Sequence, residues 1–180
     1  ISFTHGAALI FSPRRIKTPE ELAAVRRAQK IADEAFLSVC DYVAAEKNNG
    51  LTEKQIAFFL EFEMRKNGSG RMPFSVIAAS GKNSACPHAE PSDREIREGD
   101  FITMDFGATF DDYCSDMTRT VAVGHASEKQ REVYEVVRAA QQAALDRIKA
   151  GMTGREVDAI SREKIAEAGY GEFFGHALGH

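Results

Sequence analysis

The 180-residue chain has little cysteine, no long apolar run and no block of like charge, and each absence removes a class of protein. Three cysteines, Cys40, Cys86 and Cys114, make an odd set without CxxC spacing, which gives no basis for a disulfide framework or a structural zinc knuckle. No apolar stretch approaches the ~18 residues of a membrane span. The opening Ile1 to Arg15 carries its charges after its apolar residues, the reverse of a secretory signal. No run of one sign reaches five, and 23 basic against 27 acidic residues leave a formal charge of −4, so neither nucleic acid nor a membrane surface is an expected partner. Gly and Pro, at 14 and 5, are too few for a disordered or fibrous chain. The expectation is a soluble, cytoplasmic domain whose ligand is small or a peptide. The chain starts at Ile1 and ends on Gly179-His180, so it reads as a piece of something longer.

What is present begins with four helix starts of one kind. A Ser or Thr followed three residues later by Glu or Gln lets each side chain satisfy the other's free amide at a helix N-terminus. The pairs are Thr18 with Glu21, Thr52 with Gln55, Ser127 with Gln130 and Thr153 with Glu156. The first helix places Leu22, Val25, Ala28, Ala32, Phe36, Val39 and Val43 on one face and stops at Asn48-Asn49-Gly50. The second runs through Ile56, Phe59, Leu60 and Met64 to Asn67-Gly68. The third uses Val133, Val136, Ala140, Ala144 and Ile148, and the fourth uses Val157, Ile160, Ile165 and Ala168 and ends at Gly169. Between the two helix pairs, Phe74 to Ser80 and Phe101 to Gly124 are rich in β-branched and aromatic residues divided by turn-formers, which predicts strands. The class is α+β.

The helix pairs also repeat. Gly50-Leu51-Thr52-Glu53-Lys54-Gln55-Ile56 matches Gly151-Met152-Thr153-Gly154-Arg155-Glu156-Val157 at an offset of 101 residues. A second copy as long as the first would continue well past His180, so the second half is expected to be incomplete here.

The segment from Asp105 to Asp116 carries the clearest chemistry. A hairpin centred on Phe110 and Asp111 would set Asp105 opposite Asp116 on adjacent strands. Like charges in that position repel, and two buried carboxylates do not both stay ionised without a cation. A divalent metal held by carboxylate oxygens would supply it, while ordinary solvent-facing hairpin charges would need none. His176 and His180 lie in a glycine-flanked stretch that argues for loop or strand. His88 lies between Pro87 and Pro91, whose prolines favour an extended loop able to hold an imidazole over a site. His5 and His125 have no chemical company and are expected at the surface.

Four phrases in order then resemble one family: Asn83-Ser84-Ala85-Cys86-Pro87-His88; Glu98 to Gly107; Tyr113-Cys114-Ser115-Asp116-Met117-Thr118-Arg119-Thr120; and His176-Ala177-Leu178-Gly179-His180. Together they look like the pita-bread metallopeptidases, and within them the Xaa-Pro aminopeptidases and prolidases. Methionine aminopeptidases share that fold, but Pro87-His88 in the first phrase and Ser115-Asp116-Met117-Thr118-Arg119-Thr120 in the third resemble the proline-specific branch. The resemblance implies a pita-bread fold with a pseudo-two-fold repeat over residues 16–180, with residues 1–15 a remnant or linker from an amino-terminal domain.

It implies further a pair of divalent ions, Mn first and Co or Zn as alternatives, that activate a water against the peptide bond between an N-terminal residue and proline. Carried over by motif, Asp105 matches the chelating Asp, Asp116 the bridging Asp and His180 the ligand His. The family's two glutamate ligands fall after the last phrase and have no counterpart in this sequence. His88 and His176 match histidines that bond the substrate and the tetrahedral intermediate. Short peptides with proline second are the implied substrates, a homodimer is open, and the missing C-terminal segment would be a partner for this piece. A metal-free peptide-binding or protein-binding module of the same fold is the alternative; it would be marked by lost ligand residues, and the three ligand positions here are Asp, Asp and His.

Overall fold

The computed structural model describes residues 13–180; the expectations for His5 and for most of the 1–15 remnant fall outside the described residues. Pro13–Arg15 form a single 3-10 turn. Helix α1 follows at Pro19–Glu46 and α2 at Glu53–Lys66. Strands β1 (Ile77–Ser80) and β2 (Phe101–Phe106), the short pair β3 (Thr109–Phe110) and β4 (Tyr113–Cys114), and β5 (Met117–Ala122) come next. A second helix pair, α3 (Glu128–Arg147) and α4 (Gly154–Glu167), closes the order.

All four expected capping boxes form, each with the Ser or Thr side chain accepting from the third helical amide and the Glu or Gln reaching back. The repeat holds in the backbone as well. Gly50 and Gly151 both take positive φ before their helices, as do Gly68 and Gly169 after them. The exit bonds match too: Ser69 N donates to Met64 O and Tyr170 N to Ile165 O, 101 residues apart. Local sequence therefore dictates the same helix in both halves.

Burial differs between the halves. On α1 the face that packs is Ala24, Ala28, Ile31, Ala32, Ala35, Val39 and Val43, while Leu22 is exposed, so the stripe is rotated from the one expected. Ile31, Ala32, Ala35, Val39 and Val43 of α1, with Ile56, Leu60 and Met64 of α2, form one core with Ala78, Ile102, Met104, Phe106 and Met117 of the sheet. In the second pair only Ala140, Ala143, Ala144, Ser161 and Ile165 are buried, and Ile148 is exposed. Val133, Val136, Val137 and Ile165 of this pair, with Phe173 and Phe174 beyond it, line an open groove.

The three-stranded sheet has the order β1-β2-β5, antiparallel throughout. On β2 the buried residues Ile102, Met104 and Phe106 alternate with half-buried Phe101, Thr103 and Asp105, so one face meets the helices and the other carries Asp105. Strand β1 begins at Ile77, later than the Phe74 expected. No described helix is long and apolar enough to cross a membrane.

Candidate metal centre

The hairpin register differs from the one expected. Phe110 pairs with Tyr113 and Thr109 with Cys114, so the turn is Asp111-Asp112, and Asp105 stands opposite Thr118, not Asp116. Asp111 and Asp112 both take positive φ, at 46° and 65°. A two-residue turn of this hand needs left-handed backbone at both centres, which Asp tolerates and Phe110 would not. The slip is two residues, so Asp116 keeps the face it would have had and becomes a diagonal neighbour of Asp105.

Convergence survives the slip. One donor atom each from Asp105, Asp116 and His180 lies within 4.8 Å of the other two. His180 Nε2 is 3.1 Å from Asp116 Oδ1 and 3.8 Å from Asp105 Oδ1. Thr118, brought opposite by the true register, donates its hydroxyl to Asp105 Oδ1 at 2.8 Å and fixes that carboxylate. Partial burial pushes the Asp116 carboxyl up; the His180 imidazole pulls it down, and the Asp105 charge adds to the upward shift. Two carboxylates and one imidazole at this spacing fit a hard or borderline divalent cation.

The two other histidines meet each other. The rings of His88 and His176 stand 5.4 Å apart between centroids, edge to face, and both side chains are exposed. His176 Nδ1 lies 2.7 Å from the Ala177 carbonyl oxygen, which can only accept, so in the neutral ring the proton sits on Nδ1 and Nε2 keeps its lone pair. His125 is exposed beside Glu98 and apart from this group.

One residue essential to the arrangement had no signal of its own in the sequence. Glu53, in the first turn of α2, is fully buried and gathers the segment on which His88 hangs. Its carboxylate accepts from Ser80 N (2.6 Å), Ser80 Oγ (2.7 Å), Ser92 N (3.1 Å), Ser92 Oγ (2.6 Å) and Asn83 Nδ2 (3.2 Å). Burial pushes the carboxyl up, but the hydroxyls and amides of Ser92 and Ser80 outweigh it and hold the group below its ordinary value. A first-turn glutamate ordinarily serves only the helix dipole, and that local reading hid its long-range partners.

Comparison with known proteins places these features. The Xaa-Pro dipeptidase of Pyrococcus furiosus is 44% identical over 167 residues, covering 93% of this chain and 47% of the relative. The solved Xaa-Pro dipeptidase from Bacillus anthracis superposes with a TM-score of 0.89 at 46% identity, over 96% of this chain and 48% of that one. The X-Pro aminopeptidase from Thermotoga maritima gives 0.85 at 41% identity, over 91% and 46%. The chain thus spans about half the length of the relatives it matches. The profile of metallopeptidase family M24 covers residues 23–180, a span that holds both helix hairpins except the first turn of α1, the slipped β-hairpin, the buried glutamate and every residue of the Asp-Asp-His convergence. On that coverage, and with solved relatives sharing its pita-bread architecture, the chain belongs to metallopeptidase family M24.

Proposed function

We propose that the full-length protein is a metal-dependent peptidase that releases an N-terminal residue from proline in dipeptides or short peptides. The observation that carries this reading is the convergence of Asp105, Asp116 and His180 within 4.8 Å in a member of family M24. The names of its relatives, Xaa-Pro dipeptidase and X-Pro aminopeptidase, supply the substrate class. Asp105, Asp116 and His180 would hold the metal, two ions in the complete site, with Mn favoured over Co or Zn by the oxygen-rich donors. Held by these three side chains, divalent cations would supply a water activated at neutral pH and charge stabilisation at the scissile carbonyl.

The chain's own groups do the rest. The Thr118 hydroxyl occupies one lone pair of Asp105 and orients that carboxylate. With Nδ1–H turned to Ala177 O, His176 offers Nε2 to the substrate, accepting when neutral and donating once protonated. His88, in edge contact with His176, is the second group able to bond the peptide.

The test is Mn-dependent release of the first residue from Xaa-Pro and Xaa-Pro-Xaa peptides by chelator-stripped full-length protein, with Asp116→Ala beside it. Activity that returns with Mn and is lost in the variant together with bound metal supports the reading. Metal-independent cleavage, or no cleavage with metal bound, overturns it. A separate expectation concerns His88→Ala. It should lower kcat by about 10²-fold while bound metal, measured by elemental analysis, stays at the wild-type level; loss of metal would make His88 a ligand instead.

A further inference from the structure

The segment carrying His176 and His180 has no regular secondary structure, yet two residues of α4 fix its backbone at three points. Asp158 and Arg162 stand one turn apart and form a fork, Arg162 Nε to Asp158 Oδ2 at 2.7 Å and Nη2 to Oδ1 at 3.1 Å. Arg162 Nη1 also donates to Phe174 O and Nη2 to His176 O, each at 2.9 Å. Leu178 N donates to Asp158 Oδ1 at 2.7 Å. The guanidinium lies 4.5 Å from the centroid of the Phe174 ring. A solvent-exposed ion pair four residues apart on a helix contributes little to stability and needs no carbonyls. Here two further guanidinium donors and a second lone pair of Asp158 Oδ1 go to one segment.

The repeat supplies a control. At the offset of 101, Asp158 and Arg162 correspond to Ala57 and Glu61 of α2, which form no such fork, and Glu53 corresponds to Gly154. Each half therefore fixes its histidine-bearing segment with different residues at different helix positions. The pair is not a feature carried along with the shared helix.

We propose that Asp158 and Arg162 are positioning residues that set the placement of the His176 and His180 imidazoles by holding the carbonyls of Phe174 and His176 and the amide of Leu178. This rests on the roles given above to His176 and His180. Arg is required because its planar fork serves the carboxylate and two carbonyls together, whereas a lysine is a single point charge on a flexible stem.

The experiment compares Arg162→Lys and Asp158→Asn with the wild type in the full-length protein, by amide hydrogen exchange, by ¹⁵N-histidine spectra and by kcat and KM on an Xaa-Pro peptide. The expected result is at least tenfold faster exchange at Leu178, shifted His176 and His180 signals and kcat lower by roughly 10- to 100-fold. The Ser80 and Ser92 amides, held by Glu53, should keep their protection. Unchanged Leu178 and imidazole signals overturn the proposal. A uniform loss of protection that includes Ser80 and Ser92 also overturns it, since the pair would then be a general stabiliser. Should the wild type cleave no Xaa-Pro peptide, the peptidase reading fails, and the exchange and histidine spectra still decide the positioning role by the same criteria.

Discussion

Replacing Gly107 with alanine should lower stability by about 3 kcal/mol or more and weaken metal binding at least tenfold. A Cβ at this position would lie 2.0 Å from Ser115 O and 2.9 Å from Ser115 C, with Phe74 Cε1 at 3.2 Å on another side. Ser115 has nowhere to go. Its amide donates to Ala108 O at 2.9 Å, and its hydroxyl accepts from Ala108 N at 3.0 Å, so the two strands are stitched together at the point of contact. Any relaxation must shift Ser115, and with it Asp116, relative to Asp105. Thermal unfolding and Mn titration of the variant check both effects. Gly154→Ala is the matched control: a Cβ there meets nothing within 4 Å, at the first position of α4, so stability should hold or rise by up to ~1 kcal/mol. A Gly107→Ala protein as stable as this control would show that the close approach yields without cost.

Glu53→Gln is expected to lower the melting temperature by roughly 5–10 °C, since it turns an acceptor surrounded by donors into a group with its own donor and about 2–3 kcal/mol is at stake. The five donors it now satisfies come from Ser80, Asn83 and Ser92, and the loop between them carries His88. Peptidase activity should therefore fall with little change in bound metal. The pH dependence has a definite sign. Because the carboxyl is held below its ordinary value in the folded chain, its contribution is present above the unfolded pKa of about 4.3. It is lost as pH falls through the depressed folded value. Wild-type protein should thus hold its margin over the variant above about pH 4.3 and lose it progressively as pH falls from there through the depressed folded value. A variant equally stable at pH 7 would mean that the carboxylate charge contributes nothing to holding the loop.

The parts of this structure legible in the sequence were those written within a few residues. The capping boxes at Thr18, Thr52, Ser127 and Thr153 are chemistry between positions three apart, and all four formed. The repeat was legible because glycines with left-handed backbone stand at both ends of each copy. What failed depended on partners. Leu22 and Ile148 keep helical spacing, but exposure is decided by which element packs against them. The hairpin register differs from the expected one because a turn centred on Phe110 and Asp111 would put costly left-handed backbone at Phe110, whereas Asp111-Asp112 accepts it at both centres. Asp105 and Asp116 converged nonetheless, since a two-residue slip preserves the face. Glu53 and Arg162 act across 27 to 39 and 12 to 14 residues respectively, and no local pattern announces such bonds.

Among the described residues, the principal core is drawn from Ile31 to Val123, and nothing from α3 or α4 enters it. In a chain made from its amino end, that has a temporal meaning. Every side chain of that core has been joined to the chain before the second hairpin is synthesised, and domains generally fold as units, amino-terminal first. The core behind the strand bearing Asp105 needs nothing from the segment that carries His180, so this histidine would dock onto a carboxylate pair set by the first half instead of helping to build it.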